Sequence, residues 1–329
     1  MPKSQQRSIE AATEVFLSVL EESRSLNTAR TYKQALQRFS ETLQRLGINT
    51  DETTVQETRE DWMRDFIRDL KDYAPATEQL YLTGLVGFYE FLASEYDLTI
   101  NLARVRALIR RRQRRIPAKL PQFPRESIER VLVYVEDELD VPVLNELERL
   151  RRIRDRAFVL LLADTGLRIS EACALTRGQL DFEEQRAVVT IKGNRESIVR
   201  FSDRSLHAVR VYLKLRQERD GATGKPLSAL PVFARHDKGA GKRILAISTV
   251  GARNIVDRWV VAALGETARG TITPHSFRHY FVTVVLRASG GNLRLAQELA
   301  RHKNISITQR YAHLSDDDLD RGYHDIFND

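Results

Sequence analysis

The 329-residue chain has a single cysteine, Cys173. An internal disulfide is therefore impossible, and a zinc cage built from thiolates is excluded. It also lacks any apolar run of about 18 residues, the length a membrane-crossing helix needs. The opening residues, MPKSQQRSIEAATEVF, hold no apolar stretch of the kind that directs secretion. There is no glycine-rich phosphate loop, no HExxH zinc motif and no nucleophile elbow. A hydrophobic content of 42% with 8% aromatic residues is that of a folded chain, not a disordered one. The length predicts about two domains, each able to bury a core without covalent staples. A reduced, cytoplasmic protein is the expectation.

What the sequence does have is unevenly placed charge. Lys and Arg number 52 and Asp and Glu 45, a formal balance of +7. Residues 51–100 sum to −8, 101–120 to +8, 121–150 to −5, 191–310 to +14 and 311–329 to −5. A basic block of this size flanked by acidic ends points to a polyanionic partner.

Helical periodicity dominates the first 115 residues. Ala12, Val15, Phe16, Val19 and Leu20 make one stripe. Asn27 is a candidate N-cap for a second, with Tyr32, Leu36, Phe39 and Leu43. Trp62, Phe66 and Leu70 make a third, and Tyr81, Leu85, Phe88 and Leu92 a fourth. A bundle of four or five helices is expected. RRRQRR at 110–115 then runs into Pro117, Pro121 and Pro124, which no helix interior accommodates. The arginines read either as a solvated helix end or as a linker tracking a phosphate backbone.

The second half opens with helices near 125–138 and 151–164, the latter ended by Gly166. The period then changes. AVVTI (187–191) and SIVRF (197–201) flank KGNRE, whose Gly193-Asn194 is turn chemistry, so a β-hairpin is predicted. Helices are expected at about 204–218, 249–264, 274–289, 292–302, 306–314 and 316–327. Residues 219–246 read as an irregular loop with a short strand at Pro231–Ala234.

A spaced set of cations and one tyrosine stands out. TGLRISE puts Arg168 at a turn between helices, with Glu171 one turn later either to orient it or simply on the helix surface. Lys192 sits at the hairpin tip. In TPHSFRH, Thr273 can cap a helix, Pro274 suits its first position, and His275 and Arg278 share a face. Leu295, Leu299 and His302 fall at i, i+4 and i+7. Tyr311 follows in a helix that Ser306 and Gln309 would open, with Ile307 and Leu314 on its face. Taken singly, each has a plain structural reading: Arg168 capping carbonyls, Lys192 in an exposed turn, His302 at a helix end, Tyr311 in the core.

Together, in this order, these residues resemble the tyrosine recombinase (phage-integrase-like) family in its two-domain, Xer-like form. The resemblance implies a mainly α protein. Residues 1–115 would be a SAM-like core-binding helical bundle, 116–124 a linker, and 125–329 a mixed α/β catalytic domain with a small antiparallel sheet and a C-terminal docking helix at 316–327. It implies Arg168, Lys192, His275, Arg278, His302 and Tyr311 as catalytic residues. Ala-Arg-His at 300–302 departs from the family's frequent Leu-Gly-His. The substitution is expected to reshape the backbone near His302 and to place a cation close to DNA.

The implied reaction is site-specific cutting and rejoining of DNA strands. The Tyr311 hydroxyl attacks a phosphodiester, forming a 3′-phosphotyrosyl link and releasing a 5′-hydroxyl. Tyrosine has a pKa of about 10 and needs a cationic pocket to ionise. Two arginine forks suit the phosphate, Lys192 suits protonation of the leaving oxygen, His275 suits either the tyrosine proton or a hold on the phosphate, and His302 a phosphate oxygen. No cofactor, metal or ATP is implied. The expected partners are double-stranded DNA and further copies of the chain, a homodimer on one site and a homotetramer in synapsis, docked through the acidic tail. Location in the cytoplasm at the nucleoid follows. Xer-like resolution and mobile-element integration both remain open, although a chain that opens on core-binding-like helices leaves no arm-binding domain. A type IB topoisomerase and a catalytically silent DNA-binding regulator are the alternatives.

Overall fold

The computed structural model describes residues 7–24, 26–114, 124–137, 145–191, 195–302 and 304–309. The described part is mostly helical with one small antiparallel sheet, as the sequence predicts. The chain divides into two compact units, Met1–Ala118 and Lys119–Asp329. Among the described residues no helix is long and apolar enough to cross a membrane. The expected linker (116–124) lies almost wholly outside the described residues. Lys192 with the hairpin turn, Tyr311 and the expected helix 316–327 also lie outside them.

The first unit contains helices α1 (Ile9–Ser23), α2 (Leu26–Arg45), α3 (Trp62–Asp69), α4 (Pro75–Glu95) and α5 (Leu102–Arg112). Ser8 caps α1 and Asn101 caps α5 with their side-chain oxygens. Helix α2 begins at Leu26, so Asn27 lies inside it and is not its N-cap. The predicted stripes meet in one core, where Phe16 packs on Phe88 and Phe91 and Phe39 packs edge-on to Phe66. Of the first stripe, Ala12, Phe16 and Leu20 are buried, whereas Val19 is exposed.

The described arginines of the run make local contacts. Arg110–Arg112 form the last turn of α5, where cations complement the helix dipole. Arg114 turns toward its own unit. Its Nε donates to Glu78 Oε2 at 2.7 Å, and its backbone N–H donates to Glu78 Oε1 at 3.0 Å.

The second unit is organised around α7 (Glu146–Thr165), capped by Asn145. It begins five residues before the expected 151, because its first turns are charged and carry little apolar signal. It packs against α6 (Arg125–Asp137), α9 (Asp203–Leu215) and α12 (Pro274–Ala288), and α11 (Thr249–Leu264) lies on α6. The hairpin strands β2 (Arg186–Ile191) and β3 (Arg195–Arg200) pair antiparallel with Ala187 opposite Val199. Ala187, Val189 and Val199 face the core while Val188 and Ile198 are exposed, the period of a half-buried sheet. A two-residue strand, β1 (Leu180–Asp181), adds to β2 and was too short to read from sequence.

Residues 219–246 are largely irregular, as expected, but anchored in the core. Helix α10 (Gln217–Gly221) opens the stretch, and Val232, Phe233 and Ala234 are fully buried. The expected strand is reduced to single bridges, Thr176 to Pro231 and Ala234 to Ala246. Arg216 pins the segment with its whole fork. Its Nε donates to Asp220 (2.8 Å), Nη1 to Tyr212 Oη (3.0 Å) and Val232 O (2.9 Å), and Nη2 to Pro231 O (2.7 Å).

Candidate active site

Helix α7 ends at Gly166 in the left-handed region (φ 57). A Cβ there would press into the Phe281 ring, with Cγ at 2.9 Å, so only glycine fits this close approach. Two residues on, Arg168 is extended and opens α8 (Ile169–Ala174). Of the two readings open for Glu171, the contacts favour orientation: Oε2 accepts from the Arg168 backbone N–H at 3.0 Å and Oε1 from Nη1 at 2.7 Å. Glu171 is buried, while the Arg168 side chain remains 45% exposed. The guanidinium is aimed from inside and open from outside.

Thr273 and Ser276 cap the start of α12 reciprocally, and Pro274 holds its first position. This presents His275 in the first turn. One turn on, the buried Arg278 spans two chain ends, donating from Nη1 to Gly166 O and from Nη2 to Ala300 O. It thereby ties the end of α7 to the end of α13 (Leu293–Ala300).

The expected face Leu295–Leu299–His302 is not formed. Helix α13 buries Ala296 and Ala300 against α12 and leaves Leu295 exposed, because alanines let the two helices approach closely. The helix stops at Ala300, where Arg301 adopts the left-handed region (φ 56), at a cost of about 1–2 kcal/mol for a residue with a Cβ. His302 then reverses inward. Its Nδ1 meets Thr308 Oγ1 at 2.8 Å, and its backbone N–H donates to Gln297 O at 3.0 Å. Thr308 lies on α14 (Ile305–Gln309), which begins before Ser306, so Ser306 is not its cap. Ile307 is exposed on this helix.

Arg301 does not reach outward as a free cation. Its side chain is 4% exposed and lies 3.8 Å from Glu171. Nη1 donates to Leu299 O at 2.9 Å and Nη2 to Gly166 O at 3.2 Å.

Four of the six predicted residues, Arg168, His275, Arg278 and His302, are thus brought to one place where α7, α12 and α13 meet. Their electrostatics show it. Burial, then Arg278 and Arg168, holds His275 below the usual imidazole range. Burial followed by the same two arginines pushes His302 down to about 4. His279, which sequence reasoning passed over, packs its ring 4.2 Å from that of His275. Burial and then His275 push it down to about 4. The only signal for it was its place in HSFRH. Neutral imidazoles beside fixed guanidinium forks can take up a proton while the forks hold a phosphate. Cys173 is buried and its thiol is pushed up to about 12 by burial, so it is chemically inert here. A second basic feature is a cleft of about 660 Å³ at the start of α11, lined by Arg151, Arg235 and Arg258 among others.

Comparison with known proteins fits this geometry. Residues 135–318 match the phage integrase family, and residues 14–96 match the phage integrase N-terminal SAM-like domain. The chain belongs to the phage integrase family. It is a site-specific recombinase of the tyrosine type. A protein named tyrosine recombinase XerC from Treponema denticola is 29% identical over 310 residues, covering 90% of this chain and 91% of that protein. Its namesake from Bacillus subtilis is 28% identical, covering 92% and 91%. Among solved structures, the XerH site-specific recombinase bound to a palindromic difH substrate has a TM-score of 0.68 at 18% identity, covering 98% of this chain and 90% of that one. A lambda integrase dimer bound to a COC′ core site has a TM-score of 0.60 at 13% identity, covering 93% and 95%.

Proposed function

We propose that the enzyme cuts and rejoins double-stranded DNA through a 3′-phosphotyrosyl intermediate, with Arg168, Lys192, His275, Arg278, His302 and Tyr311 acting on one phosphodiester. The observation that carries this reading is the meeting of two arginine forks with His275 and His302 around the end of α7. Arg168 and Arg278 take the non-bridging oxygens and steady the charge that builds on them. The Tyr311 oxygen attacks phosphorus and gives its proton to neutral His275. The P–O5′ bond breaks, and Lys192 protonates the leaving oxygen. His302 donates to a phosphate oxygen. Rejoining is the reverse, with a 5′-hydroxyl attacking and Tyr311 leaving, so the ester bond energy is kept.

Residues 1–115 act as the core-binding domain, 116–124 as the linker and 125–329 as the catalytic domain. The basic cleft at α11 supplies contacts to further phosphates. The recombinase pairs on a site and forms a tetramer in synapsis through the acidic segment 316–327. The lambda integrase dimer on its core site is the structural relative that supports pairing. The protein works at the nucleoid, in Xer-like resolution or mobile-element integration.

A suicide duplex carrying a site selected by the protein tests the reading. The wild type should be trapped covalently, and Tyr311→Phe should bind with near-normal affinity but never be trapped. Trapping of Tyr311→Phe overturns the mechanism. Exchange between two labelled sites separates recombination from relaxation of supercoils by a topoisomerase-like monomer, and binding without cleavage by the wild type would mark a silent regulator.

A further inference from the structure

Three residues with a Cβ occupy the left-handed region among the described residues: Asp97, Gln185 and Arg301. The first two are exposed. Arg301 alone carries a buried side chain, and it is the longest and most costly of the three to bury. Glycine would close this helix end without strain. The position instead holds a guanidinium, set next to two others, so the side chain must do something a helix terminus does not require.

Its contacts say what. The Gly166 carbonyl accepts from Arg278 and from Arg301 Nη2 at 3.2 Å. Glu171, which accepts from Arg168 at 2.7 Å, has its second oxygen 3.8 Å from Arg301 Nη2. Among the described residues, Arg301 thus shares the Gly166 carbonyl with Arg278 and stands at ion-pair distance from the carboxylate that holds Arg168. Its other nitrogen reaches Leu299 O and, at 3.4 Å, Thr165 O, so it also spans the ends of α13 and α7.

We propose that Arg301 is a positioning residue for strand cleavage, bracing Arg168 and Arg278 into a single phosphate clamp through Glu171 and the Gly166 carbonyl. The inference rests on the reading of that pair as the phosphate-binding arginines. Charge repulsion among three guanidinium groups is held in check by one buried carboxylate. Burial, offset in part by Glu171, brings the Arg301 pKa down to about 10, which still leaves it charged at neutral pH.

Three measurements on Arg301→Gly and Arg301→Lys decide the matter: single-turnover cleavage of the suicide duplex, DNA affinity and thermal midpoint. A clamp displaced by about 1 Å loses about 10²-fold in rate. Arg301→Gly should therefore cleave about 10²-fold more slowly, bind DNA within about threefold of wild type, and melt no lower, since glycine relieves the backbone. Arg301→Lys should stay slow, because one ammonium cannot reproduce a planar fork that serves two acceptors. A wild-type rate in either variant overturns the proposal, as does a rate loss matched by an equal loss of DNA affinity or by a lowered midpoint in both. Tyr311→Phe is run alongside. If it is still trapped on DNA, the underlying mechanism fails. If it is inert while Arg301→Gly cleaves normally, only the role of Arg301 fails.

Discussion

The two units bury charge very differently. In the first, Glu78 is the one buried charged side chain among the described residues, and it sits in a core otherwise built from aliphatic and aromatic groups. In the second, Arg154, Asp155, Glu171, Arg216, Asp220 and Arg278 are all buried. Within that unit the charges separate again. Arg216 is enclosed, and its fork is occupied by Asp220, Tyr212 and two carbonyls. Arg168 is held by one carboxylate and stays 45% exposed. The same residue type is a rivet in one place and an open hand in the other. Arg216 thus fixes the chain, while the open face of Arg168 is available to a ligand.

The largest break in this comparison should come at the rivet. Arg216→Ala leaves Asp220 buried with only Arg177 beside it, and should lower unfolding stability by about 3–5 kcal/mol in denaturant titration. A loss under about 1 kcal/mol would mean that Arg216 is replaceable by water. Next comes the open hand. Arg168→Ala should slow strand cleavage by about 10²–10³-fold while leaving the thermal midpoint near that of wild type. A fall in midpoint as large as that of Arg216→Ala would erase the distinction between the two arginines.

In the first unit, Glu78→Ala strips the acceptor from Arg114 and Lys71 and should cost about 1–3 kcal/mol. Burial alone would raise the Glu78 carboxyl, but Arg114 and Lys71 more than offset it and hold it below its ordinary value. The stability it adds is full above the ordinary carboxylate range and is lost as pH falls through its lowered value. Removing it should flatten the acid limb of the stability curve.

The smallest effect is a proton count. Burial and the neighbouring cations push the His302 and His279 imidazoles down to about 4 from the ordinary 6.5. Their neutral forms favour folding above about 6.5, and that contribution fades as pH falls from 6.5 through 4. A phosphate in the clamp reverses the local field and raises both values. DNA binding at pH 6 should then take up protons, seen as a dependence of calorimetric heat on the buffer's ionisation enthalpy. No such dependence would mean the histidines face away from the phosphate.

Much of this was legible in the residues themselves. Helix α11 spans the predicted 249–264, and Gly166, Thr273 and Pro274 mark ends by local stereochemistry alone. The spacing of Glu171 to Arg168 left its orienting role and a plain surface role equally open, and the contacts decide it. What escaped depends on contacts distant in sequence. Residues 219–246 carry glycines and charges, and nothing local says that Val232 and Phe233 lock into the core beneath Arg216. The run Leu295–Leu299–His302 keeps helical spacing on paper, but Arg301 ends the helix before His302 is reached. The inward turn of Arg301 was invisible because its acceptors, Glu171 and Gly166, lie more than 100 residues away.

The most direct measurement is to map the DNA-linked peptide after trapping the wild type on a suicide duplex. Mass spectrometry of the digest should place a nucleotide on Tyr311, joined through a 3′-phosphate, with no adduct in Tyr311→Phe. An adduct on any other residue, or cleaved strands with no adduct at all, would contradict the proposed chemistry of the site.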